Sequence, residues 1–118
     1  MHIFPRVSVA VLLLTCMSLC NAADIERGKK LVTEAAPPCS SCHGPDYKTP
    51  IDPTYPKLAG QYADYLAHAL HAYRDSTNAM MGRNNAVMSL QAAHLTDQDI
   101  ADISAYLASL PGPLVQKK

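Results

Sequence analysis

The hydrophobic and polar positions divide the chain into an apolar leader and a longer amphipathic part. Residues 7–20 form an apolar run behind the basic start MHIFPR, and this run is too short to span a bilayer. The pattern is typical of a secretory signal peptide, with small residues that predict cleavage after Ala22 or, alternatively, after Ala23. We therefore expect a signal peptide at 1–22, a mature domain at 23–118 and export to the periplasm.

Two segments of the mature part repeat apolar residues at helical intervals. The segment at 24–35 opens with Asp24 in an N-cap position and ends at a pair of prolines. The segment at 60–75 is predicted to be an amphipathic helix. Its predicted apolar face consists of Tyr62, Tyr65, Leu66, Ala69 and Tyr73.

A third helix is marked most clearly, near the end of the chain. Thr96 is its predicted N-cap, Asp99 completes a variant capping box, and Leu95 is placed to pack on Ile100. Pro111 is expected to end the helix. Its predicted buried stripe is Ile100, Ile103, Leu107 and Leu110. The carboxylates in its first turns, Asp97, Asp99 and Asp102, complement the positive end of the helix dipole.

The mature part has almost no segment in which apolar and polar residues alternate as in a strand, so the sequence predicts an all-α domain. The chain has 118 residues and 48% hydrophobic content, which allows one domain with a core. Removal of Arg6 with the leader leaves nine basic residues against ten acidic ones, a balance that argues against a nucleic-acid surface. Long connections at 44–60 and 76–87 are unfavourable in a compact domain unless something fills the space between them.

The cysteine pair in CSSCHG carries the candidate chemistry. Two of the four cysteines leave with the leader, so Cys39 and Cys42 remain, followed directly by His43. A thioredoxin-like redox disulfide needs strands alternating with helices, and a structural zinc site needs two further ligands at comparable spacing. The sequence offers neither context. Covalent haem attachment uses all three residues, since two thioethers hold the macrocycle and the imidazole becomes an axial ligand.

Four blocks of the sequence, taken together, resemble the class I c-type cytochromes, in particular the small bacterial single-haem branch of the cytochrome c-553 and c4 type. The blocks are CSSCHG at 39–44, YPKLAGQ at 55–61, Met88, and LTDQDIADISAYLASL at 95–110. The resemblance runs from about Asp24 to Leu110. It implies an all-α cytochrome c fold with three main helices and long loops around one haem c, attached through Cys39 and Cys42.

The resemblance also implies the two iron ligands, His43 and Met88. The family's methionine block is similar to the segment from Met88 to Leu95, whereas Met80 and Met81 are expected to be core filler or exposed. The Pro56 carbonyl is expected to orient the His43 imidazole, with Leu58 packed on the haem face.

Two further residue roles come from the same resemblance. Arg83 is expected either to pair with a haem propionate or to be a solvated loop cation. Gly28 is expected to meet Tyr106 where the first and last helices cross. His68, His71 and His94 lack partners at clear metal spacing, so no second metal site is expected.

The function implied is a periplasmic electron carrier that moves single electrons between protein partners, a reductase and a terminal oxidase or dehydrogenase. No general base or nucleophile is evident, so an enzyme is not expected. Two alternatives stay open at this point. The chain can be the haem-c subunit of a larger oxidoreductase complex, or a haem sensor or enzyme whose iron keeps an open sixth position.

Overall fold

The computed structural model describes residues 22–76 and 82–113, which contain helices and no strands. The helices are α1 (Ile25–Glu34), α2 (Ser40–His43), α3 (Ala63–Arg74), α4 (Ala86–Ala92) and α5 (Asp97–Ser109). The all-α fold class is thereby confirmed. The helices α1, α3 and α5 correspond to the three predicted segments.

Helix ends follow the predicted caps. The Asp24 side chain accepts a hydrogen bond from the Arg27 N–H, and α1 starts at the next residue. Thr96 and Asp99 form the capping box of α5 reciprocally, each side chain accepting the other residue's backbone N–H. The N-cap predictions and the position of both helices are confirmed.

Helices α1 and α5 pack closely because α1 has a glycine at the contact. A Cβ on Gly28 would lie 2.0 Å from the Asp102 carbonyl oxygen and 2.9 Å from the Tyr106 Cβ. Only a residue without a side chain therefore permits this approach. The predicted contact between Gly28 and Tyr106 is confirmed.

The core lies where α1, α3, α5 and the connection after α2 meet. Val32, Leu66, Ile103 and Leu107 form its helical part, and Tyr47 and Ala59 close it from the connection. Tyr47 also packs edge-to-face on Tyr106, with ring centroids 6.2 Å apart. Three of the four residues predicted for the α5 stripe are buried, and Leu110 is partly buried against the cluster.

The orientation of α3 differs from the predicted one. Leu66 is buried as expected, but Tyr62 and Tyr65 are 71% and 48% exposed, and the buried partner of Leu66 on this helix is Ala72. The predicted apolar face was therefore wrong for Tyr62 and Tyr65, whereas Ala69 and Tyr73 are partly buried. Helical periodicity counts an aromatic ring as apolar, although the hydroxyl group of tyrosine is compatible with solvent.

Helix α4 was not predicted. Its seven residues are too few for a helix to be stable by itself, and it packs against α3. The connection before it therefore ends at Asn85 rather than at residue 87.

Candidate cofactor site

The two thiols lie on one turn of helix. Cys39 is the N-cap of α2, and its carbonyl accepts hydrogen bonds from the N–H groups of Cys42 and His43 at 3.3 and 3.0 Å. Residues three and four apart share a helix face, so the turn presents both thiols and the imidazole to one side. The Cys39 N–H is tied to the Val32 carbonyl at 3.1 Å, which fixes the motif to the end of α1.

The cysteines are partly buried and are not joined by a disulfide. Burial raises the pKa of the Cys39 thiol, which lowers its thiolate content at neutral pH. A redox-active CxxC pair has the opposite property, a lowered thiol pKa. The thioredoxin-like interpretation also lacks its fold, since the described residues contain no strands.

The His43 imidazole is buried and oriented. Its Nδ1 lies 2.9 Å from the Pro56 carbonyl oxygen and donates a hydrogen bond to it. This bond sets the tautomer, so Nε2 carries the lone pair that a metal needs. The next residue, Gly44, has φ +87°, and a Cβ there would lie 2.0 Å from the Thr49 carbonyl oxygen. The close return of the chain at this point requires glycine.

The connection after α2 brings Pro56 back to His43 by a series of backbone hydrogen bonds. The Ile51 N–H donates to the Cys42 carbonyl at 3.1 Å, and the Tyr47 carbonyl accepts from Leu58 and Ala59 at 2.7 and 3.0 Å. Leu58 is partly buried and packs against the core cluster. These contacts hold residues 44–59 in one compact loop.

Met88 lies in the first turn of α4 and is partly buried. Asn85 caps this helix, its side chain accepting the Met88 N–H at 3.0 Å. Met80 and Met81, the alternative ligands, lie outside the described residues.

Arg83 contacts two aromatic rings of α3. Its guanidinium carbon lies 5.6 Å from the ring centre of Tyr65 and 5.7 Å from that of Tyr73, and Nη2 donates to the Tyr65 hydroxyl at 3.3 Å. Hydrogen bonds to the two tyrosines raise the pKa of Arg83 above its ordinary value. The side chain is partly buried and contacts α3, and nothing in the sequence spacing indicated the two tyrosines.

Arg74 makes a second contact between elements that the sequence pattern did not predict. Arg74, the last residue of α3, donates to the Leu95 carbonyl at 3.0 Å and pairs with Asp97 at 2.8 Å. His71 is partly buried, and its Nδ1 lies 3.0 Å from Arg74 Nη2. A basic residue at a helix end is often explained by the helix dipole, so its partner on another element could not be inferred.

The donor set fits a covalently held haem. Two thiols on one turn match the two thioether positions, His43 offers Nε2, and a partly buried thioether is available on α4. Among residues 22–76 and 82–113, no three His, Cys, Asp or Glu side chains converge as metal ligands. Cys39, Cys42 and His43 therefore do not surround one ion in the way a zinc site requires.

These features define a c-type cytochrome. The family model for cytochrome c matches residues 25–111, and the chain belongs to the cytochrome c family. It is an electron-transfer haem protein, and the family's covalent haem corresponds to the CSSCH motif at 39–43.

Relatives with known names agree with this assignment. The chain is 46% identical to cytochrome c-554(548) of Halomonas halodenitrificans over 71 residues, 60% of this chain and 82% of that protein. It is 38% identical to cytochrome c4 of Azotobacter vinelandii over 84 residues, 71% of this chain and 39% of that protein. It is 33% identical to the thiosulfate dehydrogenase electron acceptor of Stutzerimonas stutzeri over 115 residues, 93% of this chain and 49% of that protein.

The chain thus spans less than half of the cytochrome c4 and of the thiosulfate dehydrogenase electron acceptor. Within the described part of the chain, none of the helices has the length and apolar character needed to cross a membrane.

Proposed function

We propose that the chain holds one haem c through thioethers from Cys39 and Cys42, with His43 and Met88 as the axial ligands of the iron. The observation that carries this proposal is the hydrogen bond from His43 Nδ1 to the Pro56 carbonyl, since it leaves Nε2 for the iron. Leu58 follows Pro56 in the same loop and is proposed to pack on the haem face.

The proposed role is one-electron transfer in the periplasm, after removal of residues 1–22. When bound, the haem supplies the Fe(II)/Fe(III) couple. The chain's own contribution is to keep the His43 ring buried and oriented and to offer the Met88 thioether, which would close the sixth position of the iron and raise the reduction potential. No proton transfer or covalent catalysis is required, so we do not propose an enzyme.

The partners are proposed to be redox proteins, one that reduces this carrier and one that oxidises it. One relative is named as the electron acceptor of a thiosulfate dehydrogenase. This name favours a dehydrogenase as the reducing partner, and a terminal oxidase is a suitable acceptor. The same name supports a second candidate role, that of the haem subunit of a larger dehydrogenase complex.

Spectroscopy of the exported protein tests this function. We expect the mass of one macrocycle on the polypeptide, the near-infrared charge-transfer band of thioether-ligated iron in the oxidised state, and little carbon monoxide binding by the reduced state at neutral pH.

Three other outcomes would contradict parts of this proposal. A polypeptide without the added mass of a macrocycle would show that no haem is covalently attached. Ready carbon monoxide binding by the wild-type protein would instead favour a sensor or enzyme with an open sixth position. Co-purification with a dehydrogenase in fixed stoichiometry would favour the subunit role over a free carrier.

A further inference from the structure

The segment that carries Met88 is anchored to α3 at both of its ends. At the start, the Arg83 N–H donates to the Ala72 carbonyl at 3.0 Å. At the far end, Arg74 Nη1 donates to the Leu95 carbonyl at 3.0 Å. Helix α4 lies between these two points and packs on α3. The position of Met88 is therefore set from α3.

The side chain of Arg83 strengthens the first anchor. Tyr65 and Tyr73 lie eight positions, or about two turns, apart on α3, and the guanidinium carbon of Arg83 lies 5.6 and 5.7 Å from their ring centres. A cation near an aromatic face is attracted by the ring's negative face, and more strongly when the cation is partly desolvated. The hydrogen bond to the Tyr65 hydroxyl fixes the direction of the planar group.

The backbone anchored at Arg83 leads directly into α4, the helix that carries Met88. Only Asn84 and the capping residue Asn85 separate Arg83 from the start of α4, and the Asn85 side chain holds the Met88 N–H. Displacement of Arg83 thus moves the cap, and the cap carries Met88 with it. A two-residue spacer leaves little freedom to absorb such a shift.

We propose that Arg83 is a positioning residue for Met88: its contacts with Tyr65 and Tyr73 hold α4 on α3 and so keep the thioether at the iron. The inference rests on the proposed ligation by Met88. It assigns Arg83 a role different from pairing with a propionate, and it gives the exposed Tyr65 and the partly buried Tyr73 a shared role.

The test compares Arg83→Gln, Arg83→Lys and the control Arg27→Gln in the haem-loaded protein. Arg27 also joins two helices, through Asp99 and Asp102, but it lies at the junction of α1 and α5. The apparent affinity of the reduced protein for carbon monoxide measures how often the sixth position is free. The near-infrared band of the oxidised protein reports the thioether directly.

For Arg83→Gln we expect about a tenfold rise in apparent carbon monoxide affinity, because loss of the ring contacts and one charged hydrogen bond raises the population without the thioether by about that factor. The near-infrared band should weaken. We expect Arg83→Lys to recover only part of the effect, since an ammonium lacks the planar fork that lies between two rings. Arg27→Gln should leave both signals unchanged.

Full recovery by Arg83→Lys would overturn the inference in favour of a simple charge role such as propionate pairing, and so would wild-type behaviour of Arg83→Gln. If Arg83→Gln does not accumulate, the double variant Tyr65→Leu/Tyr73→Leu, which leaves Arg83 in place but removes both rings and the hydroxyl group that it contacts, must show a rise in carbon monoxide affinity. If this double variant shows no rise in carbon monoxide affinity, the inference is also overturned.

Failure of the proposed function would be seen in the wild-type protein rather than in the variants. The wild-type protein itself would then lack the near-infrared band or bind carbon monoxide readily. Failure of the positioning role leaves the wild-type spectra intact and affects only the comparison among the variants.

Discussion

At the scale of single residues, one hydrogen bond determines what His43 can do. The imidazole is buried at 6% exposure and its Nδ1 is occupied by the Pro56 carbonyl. A buried ring with a fixed tautomer loses little freedom on binding a metal, so its Nε2 is preorganised as a ligand. Met88 has no comparable bond to its side chain among the described contacts, and its position depends on the helix that carries it.

Removal of the thioether is the most direct test at this scale. We predict that Met88→Ala lowers the reduction potential by on the order of 100 mV, because the thioether favours Fe(II). The variant should also bind carbon monoxide in the reduced state. Redox titration and carbon monoxide difference spectra measure the two effects.

Leu90→Ala is the matched control, since Leu90 belongs to the same helix but is 72% exposed. It should behave like the wild-type protein. Unchanged spectra for Met88→Ala would show that another residue is the ligand.

At the scale of elements, the junction between α1 and α5 depends on a buried carboxylate. Asp102 is fully buried and accepts hydrogen bonds from the Asp24 N–H at 2.8 Å, Arg27 Nη1 at 2.5 Å and Gln98 Nε2 at 2.7 Å. The helix dipole was the expected reason for the acidic residues of α5, but for Asp102 the tertiary contacts with α1 are the stronger reason. Gly28 permits the close approach that brings these groups together.

The pKa of Asp102 follows from this environment. Burial alone would raise the pKa, but the hydrogen bonds from Asp24, Arg27 and Gln98 outweigh burial and hold it below its ordinary value. A carboxyl group whose pKa is lower in the folded state stabilises the fold above its unfolded pKa. The stabilisation is lost as pH falls from that value through the folded one.

We predict that Asp102→Asn lowers the free energy of unfolding by about 2 kcal/mol near pH 7, the usual size for loss of charged, partly buried hydrogen bonds. The difference from the wild-type protein should begin to narrow as pH falls below about 4, where the unfolded carboxyl group takes up its proton, and should be lost once pH has also passed the lower pKa of the folded state. Denaturant titrations of both proteins at several pH values measure this difference in the free energy of unfolding.

The exposed substitution Glu34→Gln, also in α1, is the control and should change the free energy of unfolding by less than about 0.5 kcal/mol. A difference that stays constant between pH 7 and pH 3 would show that Asp102 acts through packing rather than through its charge.

At the scale of the whole molecule, the side-chain core is small. The buried hydrophobic residues of the described part are Val32, Tyr47, Ala59, Leu66, Ala72, Ala92, Ile100, Ile103 and Leu107. Three of them are alanines, which bury little apolar area, so the polypeptide alone has limited means to offset the entropy of folding. A haem held by Cys39 and Cys42 would add apolar area to this core.

We predict that the double variant Cys39→Ala/Cys42→Ala, which cannot form thioethers, loses the cooperative thermal unfolding of the haem-loaded protein and becomes sensitive to protease. Circular dichroism melting and limited proteolysis measure these properties. Ser41→Ala, an exposed change within the same motif, should keep both the haem and the transition. A cooperative transition in the double variant would show that the side-chain core is sufficient.

Much of the fold and the cofactor motif could be predicted from local patterns in the sequence. Asp24, Thr96 and Asp99 cap helices through hydrogen bonds to residues only three positions away, so the information is contained in a short segment. The CSSCHG motif indicates its chemistry in the same way, because two thiols and an imidazole on one turn require no distant residue.

The tertiary structure decided the features that depend on contacts between elements. Helix α4 is too short to be stable without α3, so its seven residues gave no clear helical signal. The exposure of Tyr65, the position of Arg83 beside it and the burial of Asp102 each depend on how two helices approach one another. Periodicity describes one helix at a time, and only packing determines which neighbour each face meets.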